Sequence, residues 1–373
     1  MMEETALMRK SPARRPQVDP FLWIIPLVLA IFGILMIFSL TSHTSLEEYG
    51  SPFTLGMKQV EWLLVGITGM LVMYMIPLSF WKKHSGVIWL LSLFLLVLTL
   101  IPGIGIKAGG ARRWIGFAGL RFQPIEFLNL ALAVHLSRLL NTSEKRGLSV
   151  FVSITVPVLF LSVIPLLFQP NMGGTILIFA LSMAIHVQCR GWSWPFIAGA
   201  AGFPFFFMFI IREGYRLRRY IAFLDPWEQP MDSGFQVIQG LVAFSNGGLF
   251  GVGVGKGLQK LNYLPAAHTD YIFATVGEEF GFIGTFFILF FFLMWTMRAC
   301  SVYKNAEGFR ATLIWALTVS VLIPLFINLG GVLKLMPLTG IPLPFISYGG
   351  SSLLFMWVKI GILMRVCREV SLP

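Results

Sequence analysis

Residues Phe21 to Leu40 read FLWIIPLVLAIFGILMIFSL, twenty residues without a single charge. A helix rises about 1.5 Å per residue, so this run can cross the roughly 30 Å hydrocarbon core of a bilayer. Nine further apolar runs follow, starting near Val60, Gly86, Phe122, Ser149, Met172, Trp194, Tyr271, Ala311 and Ile341. Hydrophobic residues fill 56% of the 373 positions and charged residues 12%, more apolar surface than a water-soluble core could hide. Lipid offers the backbone no hydrogen-bond partner, so such runs fold as helices. The ten-residue alternation of a membrane barrel is absent. The expected fold class is an all-α integral membrane protein of about ten transmembrane helices. Residues 1–20 form an N-terminal tail, 21–366 a membrane domain and 367–373 a C-terminal tail. A polar start followed by a run long enough to span and stay argues against a cleaved signal peptide.

An even number of spans puts both termini on one side. Arg9, Lys10, Arg14 and Arg15 precede the first span, and Arg365 and Arg368 close the last. Lys82, Lys83, Lys145, Arg146, Arg190, Arg298, Lys304 and Arg310 fall at loops on that same side, which the positive-inside rule makes cytoplasmic. Cys189, Cys300 and Cys367 also lie there, as reduced thiols.

The other face still carries 12 of the 28 Lys and Arg residues, in segment 105–121, in the long extracytoplasmic loop 212–270 between spans seven and eight, and at Lys58 and Lys334. Cations there oppose the insertion rule. An anionic ligand at the outer membrane surface would favour them, because Arg forks match phosphate oxygens. Translocation of a long loop regardless of charge, or contact with lipid headgroups, is the plainer account for 212–270. Nothing points to nucleic acid: there is no basic soluble domain and no recognition motif.

Several polar residues interrupt the apolar runs. Glu126 follows RFQP just inside span four; a carboxylate there faces protein or water, with Arg113 or Arg121 as a possible structural partner. Asp270 opens span eight after His268 and Thr269, where an acid can be both desolvated and reachable, as a general base requires. Its plainer role is to complement a helix dipole. Glu278 and Glu279 lie deeper and read first as internal partners of a polar group on another helix, with a proton pathway, which would suit a transporter, as the sharper alternative. GGLFGVGVGKG, Gly247 to Gly257, fails both phosphate-loop patterns and reads as a turn-rich loop or close backbone packing. LTGIPLPFISYGGSS, Leu338 to Ser352, combines helix-breaking prolines with paired glycines and fits either a re-entrant loop lining a cavity or plain helix packing through small residues. His43, His84, His135, His186 and His268 show no metal spacing. Acids plus substrate phosphate could still hold a hard divalent cation, Mg²⁺ or Mn²⁺.

The stretches GGARRWI, RFQPIE, QPNMGGT, YRLRRYIAFLDPWEQPMDSGFQVIQ, NGGLFGVGVGKGLQKLNYLPAAHTDYIFATVGEEFG and PLTGIPLPFISYGGSS together resemble the SEDS family of bacterial cell-wall proteins. Within it the division-type branch, FtsW, is nearer than the elongation-type branch, RodA. The resemblance implies a peptidoglycan glycosyltransferase in the bacterial inner membrane. Such enzymes join lipid II units outside the cytoplasm and release a polyprenyl diphosphate. It implies that Asp270 is essential and ties Glu126 to function. It also implies a class B penicillin-binding protein as partner, alongside other divisome or elongasome membrane proteins.

An α-linked diphosphate donor yielding a β-linked glycan inverts the anomeric centre, which needs one base and cations opposite the leaving group. Asp270 is the candidate base. Arg113, Arg216, Arg219 and Lys260 are candidate diphosphate contacts, with Gln123, Glu126, His268, Thr269 and Ser347 completing the candidate substrate site. Three positions depart from the family pattern: Ala266 for a usual Glu, Asn171 for Asp, and Asn129 for a Lys. The alternative readings are an elongation-type polymerase, a lipid II flippase and a non-catalytic scaffold. Short inner loops poor in motifs lean against the flippase.

Overall fold

Apolar residues on every side drive Phe21–Tyr49 into one helix of 29 residues, α1. In this computed structural model, which describes residues 18–108, 111–117, 120–144, 147–197, 199, 214–232, 234–259 and 264–370, α2 (Thr54–Met75) and α3 (Leu78–Leu98) follow. Both begin before the expected Val60 and Gly86. Their first two turns carry Lys58, or Lys82, Lys83 and His84, polar heads on long stems that sit comfortably near helix ends, and the buried Gln59, whose amide donates to the Ser347 carbonyl at 3.2 Å.

Segment 105–121 corrects the all-helical expectation. It forms a three-stranded antiparallel sheet of β1 (Gly105–Ala108), β2 (Ala111–Phe117) and β3 (Leu120–Phe122), in that order. Ile106 faces Trp114, and Ile115 faces Phe122. β-Branched and aromatic residues suit such cross-strand pairs. The sheet leads straight into α4 (Pro124–Thr142), with proline in the first turn, where its missing N–H is harmless.

α4 is the enclosed centre of the bundle. Leu128, Ala131, Leu132, Ala133, Val134 and Leu136 are fully buried, and α3, α6, α10 and α11 surround the helix. Protein neighbours in place of lipid let it carry Glu126, Asn129, His135 and Ser137, all buried. The surrounding elements are α5 (Gly147–Phe168, with a π-helical turn at Phe151–Thr155), α6 (Met172–Arg190), α7 (Gly214–Leu224), α8 (Phe235–Gly247), α9 (Ile272–Lys304), α10 (Gly308–Val332) and α11 (Gly350–Val370).

Among the described residues eight helices are long and apolar enough to cross a membrane: α1, α2, α3, α5, α6, α9, α10 and α11. α4 is too polar to join them. The seventh expected span, near Trp194, falls largely outside the described residues. The tenth starts at Gly350 instead of Ile341, because residues 338–349 form the irregular loop that Pro342 and Pro344 impose. The expected long loop contains two helices, α7 and α8.

Candidate active site

LPAAHTD folds as a tight turn at the mouth of α9. Ala266, at φ 57°, lets its carbonyl accept from Thr269 N (3.1 Å), Tyr271 N (3.3 Å) and the Thr269 hydroxyl (3.2 Å). The turn presents Asp270 at the helix start, half-buried. Two other segments clamp it. The Ser347 hydroxyl donates to the Thr269 carbonyl at 2.6 Å and accepts from Leu343 N at 2.8 Å. Tyr348 N donates to the His268 carbonyl at 2.9 Å. From α10, the Asn328 amide donates to the carbonyls of Asp270 (2.8 Å) and Ile341 (2.9 Å). Gly340, at φ 76°, passes so close that a Cβ there would stand 3.3 Å from Asp270 Oδ2.

Arg219 reaches in from α7. One guanidinium nitrogen donates to the Leu338 carbonyl at 2.9 Å, and the positive charge acts on Asp270. Burial pushes the Asp270 carboxyl above the usual aspartate range; Arg219 and the Thr269 hydroxyl oppose that rise. His268 moves down, again chiefly through burial, with Glu48 opposing. A cavity of about 40 Å³ opens beyond Arg219, lined also by Phe223, Gln236, Val237, Lys334 and Leu338. Arg219, whose charge acts on Asp270, therefore shares one small cavity with a second cation, Lys334.

Of the residues singled out by sequence, the fold brings together Asp270, Thr269, His268, Ser347 and Arg219. Arg113 lies on the β2 wall and donates to the Pro170 carbonyl at 2.7 Å. Gln123 N donates to the Ser351 hydroxyl at 3.1 Å, and Ser351 donates to the Arg121 carbonyl at 3.1 Å, tying the sheet to α11. Arg216 lies in α7, its side chain outside the description, and Lys260 lies outside the described residues. The charge acting on the Glu126 carboxylate is that of Lys359, and Ser352 hydrogen-bonds to it, where the sequence offered Arg113 or Arg121 as a structural partner. Asn328 and Lys359 escaped the sequence reading, although each is a polar residue inside an apolar run, the signal that marked Glu126. Asn171 accepts from Gly174 N at 3.0 Å and caps α6, a role open equally to Asp.

Glu278 and Glu279 serve the glycine-rich segment. Glu278 accepts from Leu258 N (3.1 Å) and Gln259 N (3.2 Å), and Glu279 from Gly255 N (3.0 Å). α9 breaks at Gly281, φ 68°. Across the break Val252 N donates to the Glu278 carbonyl (2.9 Å) and Phe282 N to the Gly248 carbonyl (2.9 Å). The loop thus repairs the backbone bonds that the kink opens, and both acids are internal partners.

Among the described residues no group of three or more His, Cys, Asp or Glu could hold a metal ion. One carboxylate beside a guanidinium is not a protein-built cation cage.

Residues 19–372 match the model of the FtsW/RodA/SpoVE cell cycle proteins. The chain is 36% identical over 358 residues to a protein of Geobacter sp. (strain M18) named probable peptidoglycan glycosyltransferase FtsW, covering 94% of this chain and 97% of the relative. It is 34% identical over 360 residues to stage V sporulation protein E of Bacillus subtilis (strain 168), covering 95% and 98%. Its fold is similar to a chain of a peptidoglycan synthase complex, with TM-score 0.76 at 22% identity, covering 95% and 98%. It is also similar to the rod shape determining protein RodA of Thermus thermophilus, with TM-score 0.69 at 22% identity, covering 94% and 97%. A match running through nearly the whole chain, in sequence and in fold, leaves one assignment: this multi-pass membrane protein belongs to the FtsW/RodA/SpoVE family of cell cycle proteins.

Proposed function

We infer that this chain is a peptidoglycan glycosyltransferase that polymerises lipid II into glycan strands at the outer face of the cytoplasmic membrane, in division-type wall synthesis. Family membership and relatives named as such enzymes support the activity. The observation that carries the chemistry is a half-buried Asp270 clamped at a helix start beside Arg219. A base must be desolvated enough to hold a proton and exposed enough to reach one.

In the reaction Asp270 takes the proton from the acceptor sugar hydroxyl. The freed oxygen pair bonds to the donor's anomeric carbon from the face opposite the diphosphate. The carbon–oxygen bond to the diphosphate breaks, and the polyprenyl diphosphate leaves with that electron pair. Arg219 and Lys334, on one cavity, balance the charge that develops there. Arg113, Arg216 and Lys260 are further phosphate contacts along the chain. Asp270 alone does not make a cation site, so Mg²⁺ or Mn²⁺ would draw its other ligands from diphosphate and water. At about 40 Å³ the cavity has room for a few waters and not for a sugar.

The site faces outward in the topology that the Lys and Arg distribution favours, with both termini cytoplasmic. A class B penicillin-binding protein is the partner that would cross-link the product. The test uses purified protein with that partner in liposomes, labelled lipid II and Asp270→Asn. Wild type makes polymer, and the folded variant loses on the order of 10²–10⁴ in rate. Equal polymer from both removes Asp270 as base. Labelled lipid II crossing the bilayer without polymer makes the chain a transporter.

A further inference from the structure

Among the described residues one lysine is fully buried. Lys359 sits midway along α11 in the run FMWVKIGIL, 1% exposed. Its ammonium donates to the Ser320 carbonyl of α10 at 3.3 Å. The charge acting on it is that of Glu126 on α4, itself 9% exposed. One turn beyond Glu126, on the same face of α4, is Asn129, 1% exposed with neither its Oδ1 nor its Nδ2 hydrogen-bonded. Three helices therefore meet around one acid, one base and an idle amide, all buried.

An unbalanced charge here would be expensive. Losing the lysine would leave the Glu126 carboxylate to draw in water and open the seam between α4 and α11. That seam leads to the Asp270 site. Ser351 and Ser352 begin α11, Ser351 tied to the start of α4 and Ser352 facing Glu126. Ser347 and Tyr348, just before the helix, hold the carbonyls of Thr269 and His268.

We propose that Lys359 is a positioning residue for the Asp270 site: from α11 it supplies the positive charge that balances Glu126, which keeps α4 and α11 closed beneath the catalytic turn. The activity arm of its test rests on the polymerase reading; the stability arm does not.

The experiment compares wild type, Lys359→Met, Asn129→Lys/Lys359→Met and Glu126→Gln/Lys359→Met, purified in detergent and reconstituted with lipid II. Lys359→Met melts at a lower temperature and polymerises more slowly, by on the order of a hundredfold. Asn129→Lys/Lys359→Met returns a cation to the Glu126 face and regains most of both properties. Glu126→Gln/Lys359→Met removes both charges and regains the melting temperature. Wild-type behaviour in Lys359→Met overturns the proposal, as does a defect that neither double variant relieves. If wild type itself makes no polymer, the polymerase reading fails, and the order of melting temperatures alone decides the role of Lys359.

Discussion

The side-chain amide of Asn328 donates to the backbone carbonyl of Asp270 at 2.8 Å and, with its second proton, to that of Ile341 at 2.9 Å. One buried amide thus joins the turn that carries Asp270, α10 and the proline-rich loop. Asn328→Leu leaves two carbonyls unpaired, a loss of about 1–3 kcal/mol. It should lower the melting temperature and slow polymerisation of lipid II. Unchanged rate and melting would mean that the turn holds Asp270 without α10.

Asp270 should set the acid limb of the pH–rate profile. A base works ionised, and burial raises its pKa, so the rate should climb with pH through a value above the usual aspartate range. Arg219 opposes that rise, so Arg219→Met should move the limb to higher pH as well as lower the maximum. A limb that stays in place would separate Arg219 from the base.

The same shift carries a stability sign. The folded pKa of Asp270 lies above the unfolded one, so stability falls as pH rises through that window and the carboxylate ionises. At neutral pH Asp270→Asn should therefore melt no lower than wild type while losing activity. A clear drop in melting temperature would instead assign the carboxylate a structural role.

The break in α9 needs glycine. At Gly281, φ 68°, a Cβ would collide with the backbone of Leu249 and Gly251. Gly281→Ala should destabilise the protein by more than the ~1 kcal/mol typical of backbone strain alone. Glu278→Gln should also destabilise it, by about 1–3 kcal/mol, because the amides of Leu258 and Gln259 lose a charged acceptor. Thermal melts in detergent would read both effects.

Much of this protein is legible along the chain. Charge-free runs such as Phe21–Leu40 dictate membrane helices, because lipid satisfies no backbone group. His-Thr-Asp before a hydrophobic run marks a desolvated yet reachable acid. Glu278 and Glu279 read correctly as internal partners, since adjacent acids that deep need donors. Strand pairing in 105–121 did not show, because three short strands bury too little to leave a periodic pattern.

What only the tertiary structure decided is which distant residues meet. Glu126 finds Lys359 from the far end of the sequence instead of a nearby Arg, Asn328 holds Asp270, and the glycine loop fills the break at Gly281. Local pattern reports the polarity and period of one segment. Partnership depends on how helices pack against one another, and in a membrane bundle that packing sets which buried charges are balanced and which backbone bonds are restored.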